Sequence, residues 1–151
     1  MLKQTTVFLA MMALQGCGVA RLDCAKPDPL VIARIIDAKA QMRAMLKAIV
    51  PRTETAAMVA AKRPADFASK LKTAIDQVVD RHGAEWEANL AQSYRQNLSV
   101  AEIVQACKAV NQGDRDGFMA FANRVAVPMQ AKSTPLLQKS AVEVLALLSE
   151  K

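Results

Sequence analysis

The chain has 151 residues, the length of one ordinary domain, and 52% of them are hydrophobic, enough for a core. Charged residues at 23% argue against a disordered chain, and five Gly, one Tyr and one Trp argue against a β-sandwich or barrel. The 28 Ala, 14 Leu and 8 Met suit helices, and no stretch reaches the roughly 18 apolar residues of a spanning helix.

The first element is a leader. Lys3 precedes the apolar run Thr5–Leu14, the basic and hydrophobic segments of a secretory signal. Two cleavage sites are legible. Gly18-Val19-Ala20 offers the small residues that ordinary signal peptidase needs. Leu14-Gln15-Gly16-Cys17 resembles the box of a bacterial lipoprotein, which implies that residues 1–16 are removed and Cys17 is acylated. Several acyl chains would anchor the protein stably, each buried methylene adding ~0.8 kcal/mol. Gly18 stands where inner-membrane lipoproteins carry Asp, so the resemblance implies the outer membrane; cleavage after Ala20 leaves a soluble periplasmic protein instead.

Either cleavage leaves two cysteines, Cys24 and Cys107, an even count that predicts a disulfide in an oxidising compartment. The bond would pin a tether, residues 17–28, to a helical domain over residues 29–151.

Within that domain, Asp28 and Pro29 begin a helix whose apolar seam runs Val31, Ile35, Ala38, Met42, Met45, Ile49 until Pro51 stops it. A short piece follows over Thr55–Lys62. Pro64 starts another, with Phe67, Leu71, Ile75 and Val78 on one face, and His82-Gly83 reads as its C-terminal cap or as a weak point in a longer helix. Trp86, Leu90, Ala91 and Tyr94 form the next stripe. Ser99-Val100-Ala101-Glu102 is a capping box ahead of Ile103, Ala106, Cys107 and Val110. Asn111-Gln112-Gly113 ends that helix, and Asp114–Gly117 leads into Phe118, Phe121, Ala122 and Val125. Pro128 is expected to interrupt, and Thr134-Pro135 to begin a last helix burying Leu137, Ala141, Val144 and Leu148. The expected fold is all-α, one compact bundle of about six or seven short helices.

Catalytic and metal motifs are missing. One histidine, His82, excludes a multi-histidine metal site within the chain. Asp114-Arg115-Asp116-Gly117 fails as a calcium loop because Val125 occupies the position of its bidentate Glu, so its acids read as helix caps. Asp76, Asp80, Glu85 and Glu87 supply carboxylates for acid–base work, or simply a charged face beside Arg81. No cofactor is expected.

Charge is unevenly spread: +6 over residues 34–72, −3 over 73–107 and +2 over 108–151. Lys39, Arg43 and Lys47 recur every four residues as a basic ridge, a candidate site for an envelope polyanion or an acidic protein partner, or else the solvated face of an amphipathic helix. Nucleic acid is a poor ligand, since export removes the chain from it and no aromatics interleave for stacking.

The run Trp86, Tyr94, Leu98-Ser99-Val100-Ala101-Glu102-Ile103, Phe118, Phe121 resembles the domain of unknown function 2059 family, small exported helical proteins of Gram-negative bacteria. Val127-Pro128 and Leu136-Leu137 match its tail. The resemblance covers roughly residues 67–147, implies that the capping box and the aromatics serve the fold, and names no reaction. The combined expectation is an exported, lipid-anchored, non-enzymatic envelope protein that binds an envelope component or protein partner. An inhibitor or immunity protein against a secreted enzyme, or a cell-wall enzyme using the acids of the 76–87 region, is the alternative.

Overall fold

A computed structural model describes residues 21–150 of the chain; the leader and Cys17 lie outside them. Every element among the described residues is helical: α1 Pro29–Ile35, α2 Ala38–Ile49 with a 3-10 turn at Val50–Arg52, α3 Glu54–Lys62, α4 Phe67–Asn97, α5 Val100–Gln112 and α6 Arg115–Ser149. The number of helices is as expected. Their lengths are not, because α4 has 31 residues and α6 has 35.

The two long helices frame the molecule. His82 meets Glu143, Ser93 meets Met129, and Glu102 at the start of α5 meets Arg124. Position numbers rise on one side as they fall on the other. So α4 and α5 run successively along α6, antiparallel to it, as a hairpin whose tip is the Gly113–Asp114 turn. Helices α1 to α3 close the remaining face. At 1.5 Å per residue α6 is about 52 Å long.

Local chemistry sets the boundaries. The Asp28 carboxylate accepts from Leu30 N at 2.9 Å and caps α1. Thr53 Oγ1 accepts from Ala56 N ahead of α3. The Ser99–Glu102 capping box is complete, with Ser99 N donating to Glu102 Oε2 at 2.8 Å and Glu102 N to Ser99 Oγ at 3.3 Å. Gly113 (φ 66°) closes α5 in the left-handed region, where a side chain is disfavoured. Asp114 then caps α6 through Gly117 N at 2.9 Å.

Two expectations need correction, and one left open is decided. The first apolar seam is broken at Asp37, a left-handed residue (φ 53°) whose carboxylate accepts from Ala40 N and restarts the helix as α2. The break resets the register: Ile32 and Ala33, then Ala38, Met42 and Leu46, are buried, while Val31 and Ile49 are exposed. Of the two readings of His82-Gly83, the longer helix holds: both residues are buried in mid-α4. Pro128 and Pro135 lie inside α6 rather than at boundaries. Each proline removes the donor for a carbonyl four residues earlier, those of Arg124 and Ala131. Both belong to exposed residues, so water can serve them, and burial of Val125, Met129, Ser133 and Leu136 against the bundle holds the helix through both sites.

The core gathers Met42, Leu46, Ile75, Val78, Trp86, Tyr94, Cys107, Phe118, Val144 and Leu148. Tyr94 and Phe118 face each other at 6.3 Å between ring centroids. None of the described helices is long and apolar enough to cross a membrane.

Candidate functional site

The N-terminal segment is built into the body at the hairpin tip. Cys24 and Cys107 form a disulfide, with 5.7 Å between their Cα atoms, as the cysteine count predicts. Next to it, the amide of Asn111 takes both backbone groups of Leu22: Leu22 N donates to Asn111 Oδ1 at 2.8 Å, and Asn111 Nδ2 donates to Leu22 O at 2.9 Å. The side chain thus pairs with Leu22 as a neighbouring strand would. Asn111 also lies 3.3 Å from Cys24 Sγ. The segment then reaches Asp28, whose carboxylate is 3.0 Å from Arg95 Nη2.

The basic ridge of α2 lies across an acidic stripe of α4. Arg43 Nε donates to Asp76 Oδ1 at 2.8 Å, and Lys72 Nζ donates to Asp76 Oδ2 at the same distance. These two cations, Lys72 first, hold the Asp76 carboxyl below the usual carboxylate range. Lys39 lays its aliphatic stem over Gly83: a Cβ built there would come within 2.9 Å of Lys39 Cγ and 3.0 Å of Cδ and Cε. Further along, Arg34 on α1 approaches the buried Glu87 at 3.4 Å. The antiparallel order 34–87, 39–83, 43–76 docks α1 and α2 on α4. Of the three ridge residues Lys47 alone is exposed; Lys39 and Arg43 are half-buried. The ridge is therefore not one continuous solvent-facing stripe, because α4 supplies counter-charges and a glycine gap that its own sequence does not announce.

The carboxylates of residues 76–87 are not gathered. Asp76 and Glu87 are engaged as described, Asp80 and Glu85 are exposed, and five positions of helix put those two on widely separated faces. Among the described residues no three His, Cys, Asp or Glu side chains are grouped to hold a metal ion.

One polar cluster is invisible in the periodicity. His82 is buried in mid-α4, its Nε2 2.7 Å from Glu143 Oε2, and Arg81 pairs with the other Glu143 oxygen. Burial pushes His82 below the ordinary histidine value, and Lys139 and Arg81 act in the same direction. Glu85 opposes them, and so does the Glu143 carboxylate by its position. One turn away, Trp86 Nε1 and Ser140 Oγ are buried without a hydrogen-bond partner among the described residues.

No protein-family model, curated protein or solved structure matches this chain.

An open groove of about 270 Å³ lies at the opposite end from the tip, between the first turns of α4 and the last turn of α6, lined by Ser69, Lys70, Thr73, Gln77, Leu147 and Glu150. Sequence reasoning finds Cys24, Cys107 and Asp114. It misses Asn111, read only as part of a helix end, and the acceptors of the basic ridge. Complementary charge at similar intervals, Arg34 and Arg43 nine positions apart against Asp76 and Glu87 eleven apart, is the signal that could have found the second.

Proposed function

We propose that the protein is exported to the envelope, is anchored through an acylated Cys17 and acts there as a non-enzymatic binding protein for an envelope component or protein partner. The observation that carries this reading is the Cys24–Cys107 bond. It pairs the two cysteines that remain once Cys17 becomes the acylated first residue, and such bonds persist in oxidising compartments. The outer membrane is the favoured site because Gly18 follows Cys17. The order of an aromatic-bearing helix, a Ser-x-x-Glu link and an aromatic helix, which resembles the domain of unknown function 2059 family, belongs to the same proposal.

Binding is the better-supported class of activity. Two of the four acids that a cell-wall hydrolase would use serve ion pairs that dock helices. The test is the intact mass, without reductant, of the product made in a Gram-negative host. Expected is a membrane-bound chain that begins at acylated Cys17 and carries the 24–107 bond. A soluble product that begins at Arg21 removes the anchor. A cytosolic product that retains Met1 removes export. Cross-linking in intact envelopes then identifies the partner.

A further inference from the structure

The clamp at the hairpin tip lies very close in sequence to the residue read as the lipid acceptor. Cys17 is five positions before Leu22, and covalent geometry limits five residues to about 18 Å. Leu22 cannot move away from the body, because both its backbone groups are held by Asn111 and its second neighbour Cys24 is bonded to Cys107. Without that attachment the next fixed point is Asp28, the cap of α1 and partner of Arg95, followed by the buried Pro29. The eleven residues from Cys17 to Asp28 can reach about 40 Å.

We infer that the Asn111 clamp and the Cys24–Cys107 bond together act as a tether stop, which holds the α5–α6 tip against the lipid surface that carries Cys17. This rests on the anchoring reading above and specifies its geometry. The occupant of the tip surface is the bilayer itself. The reach of the tether, and not a net charge, selects it. Arg21, Lys108 and Arg115 are exposed and form no ion pair among the described residues. Asp23 and Asp114 accept from the backbone N–H groups of Ala25 and Gly117 and keep their charge, so together with Asp116 they balance those three cations. The groove at Ser69, Thr73 and Leu147 lies at the other end of the hairpin, so the tether stop leaves that end available to a partner.

The test uses the full chain made in a Gram-negative host. The membrane-bound product is reconstituted in phosphatidylethanolamine–phosphatidylglycerol vesicles that contain a lipid with a photoreactive headgroup. Cross-linked peptides are mapped by mass spectrometry, and the same spectra read the acyl group on Cys17. Cross-links are expected in residues 112–116 and not at the groove end. A variant with ten Gly/Ser residues inserted between Ala20 and Arg21 leaves clamp and disulfide in place while lengthening the tether threefold. It should cross-link at the tip about fivefold less, because effective concentration falls roughly as the −3/2 power of tether length. The combined variant Cys24→Ser, Cys107→Ala, Asn111→Ala, whose tether runs eleven residues to Asp28, should lose about threefold by the same scaling. An acylated product whose tip cross-links are unchanged by the insertion, or which cross-links mainly at the groove end, overturns the tether stop and leaves the anchor standing. A product without acyl chains overturns the anchor, and the tether stop with it.

Discussion

Asn111 holds Leu22 by both of its backbone groups, across 89 positions of sequence. A side-chain amide carries an NH2 donor group and a carbonyl acceptor in one plane, so it can complete a strand-like pairing for a segment that has no strand beside it. Asn111→Ala removes both bonds and should cost about 1 kcal/mol, since a net hydrogen bond contributes roughly 0.5–1.5 kcal/mol and this pair is exposed. Asn111→Asp keeps the acceptor for Leu22 N and should lose about half as much. Hydrogen exchange at the Leu22 amide is the direct measure: it should accelerate strongly in the Ala variant and little in the Asp variant.

The disulfide closes a loop across 83 positions. Chain entropy assigns such a loop about 4–5 kcal/mol. For a domain of this size the Cys24→Ser, Cys107→Ala variant should melt about 15 °C below the oxidised protein. Thermal unfolding followed by circular dichroism, with and without reductant, checks this. Reductant should lower the melting temperature of the native chain and leave that of the double variant unchanged.

Gly83 sits in mid-helix, where Ala would ordinarily be favoured by about 1 kcal/mol. Here a Cβ meets the Lys39 stem at 2.9–3.0 Å, so Gly83→Ala alone should bring no gain. In a Lys39→Ala background the same substitution should stabilise by about 1 kcal/mol. A double-mutant cycle from urea unfolding measures the coupling. Independent effects of the two substitutions would contradict the packing described.

Ser140 is fully buried and its hydroxyl has no partner among the described residues. An unsatisfied buried hydroxyl costs about 1–3 kcal/mol, whereas a methyl group in its place costs little. Ser140→Ala is therefore expected to raise stability, by about 1 kcal/mol, with the fold unchanged. A fall in the denaturation midpoint would show that the hydroxyl is satisfied in solution.

Acid should weaken the junction of α5 and α6. Arg124, followed by the Ser99 backbone and hydroxyl, holds the Glu102 carboxyl down to about 2, from an ordinary 4.5. A depressed carboxylate adds stability above its unfolded value and loses it as pH falls toward the folded one. The contribution should be present above about pH 4.5 and disappear between there and pH 2. Asp76, held down by Lys72 and Arg43, acts with the same sign. Glu102→Gln should flatten part of the acid limb of the stability–pH curve and leave the neutral limb parallel to that of the native chain.

What the sequence determined by itself is local. Asp28 with Pro29, the Ser99–Glu102 box, Gly113 and Asp114 fix helix ends because each satisfies backbone groups within four residues of itself, and such chemistry is legible wherever it occurs. The all-α class follows from composition and period, and the 24–107 pair from cysteine number. What the tertiary structure decided depends on neighbours far along the chain. Pro128 and Pro135 look like helix ends in isolation, yet burial of the opposite face of α6 against α4 and α5 outweighs two lost hydrogen bonds. Gly83 looks like a cap, but α2 fills the space above it. Asp37 reverses the case: its left-handed turn moves the apolar seam from Val31 and Ile49 to Ile32 and Leu46, because the faces of α1 and α2 are set by what they pack on. The basic ridge follows the same rule. Its spacing is written in α2, and the carboxylate that takes Arg43 is written 33 residues later, so its role was settled only when the helices came together.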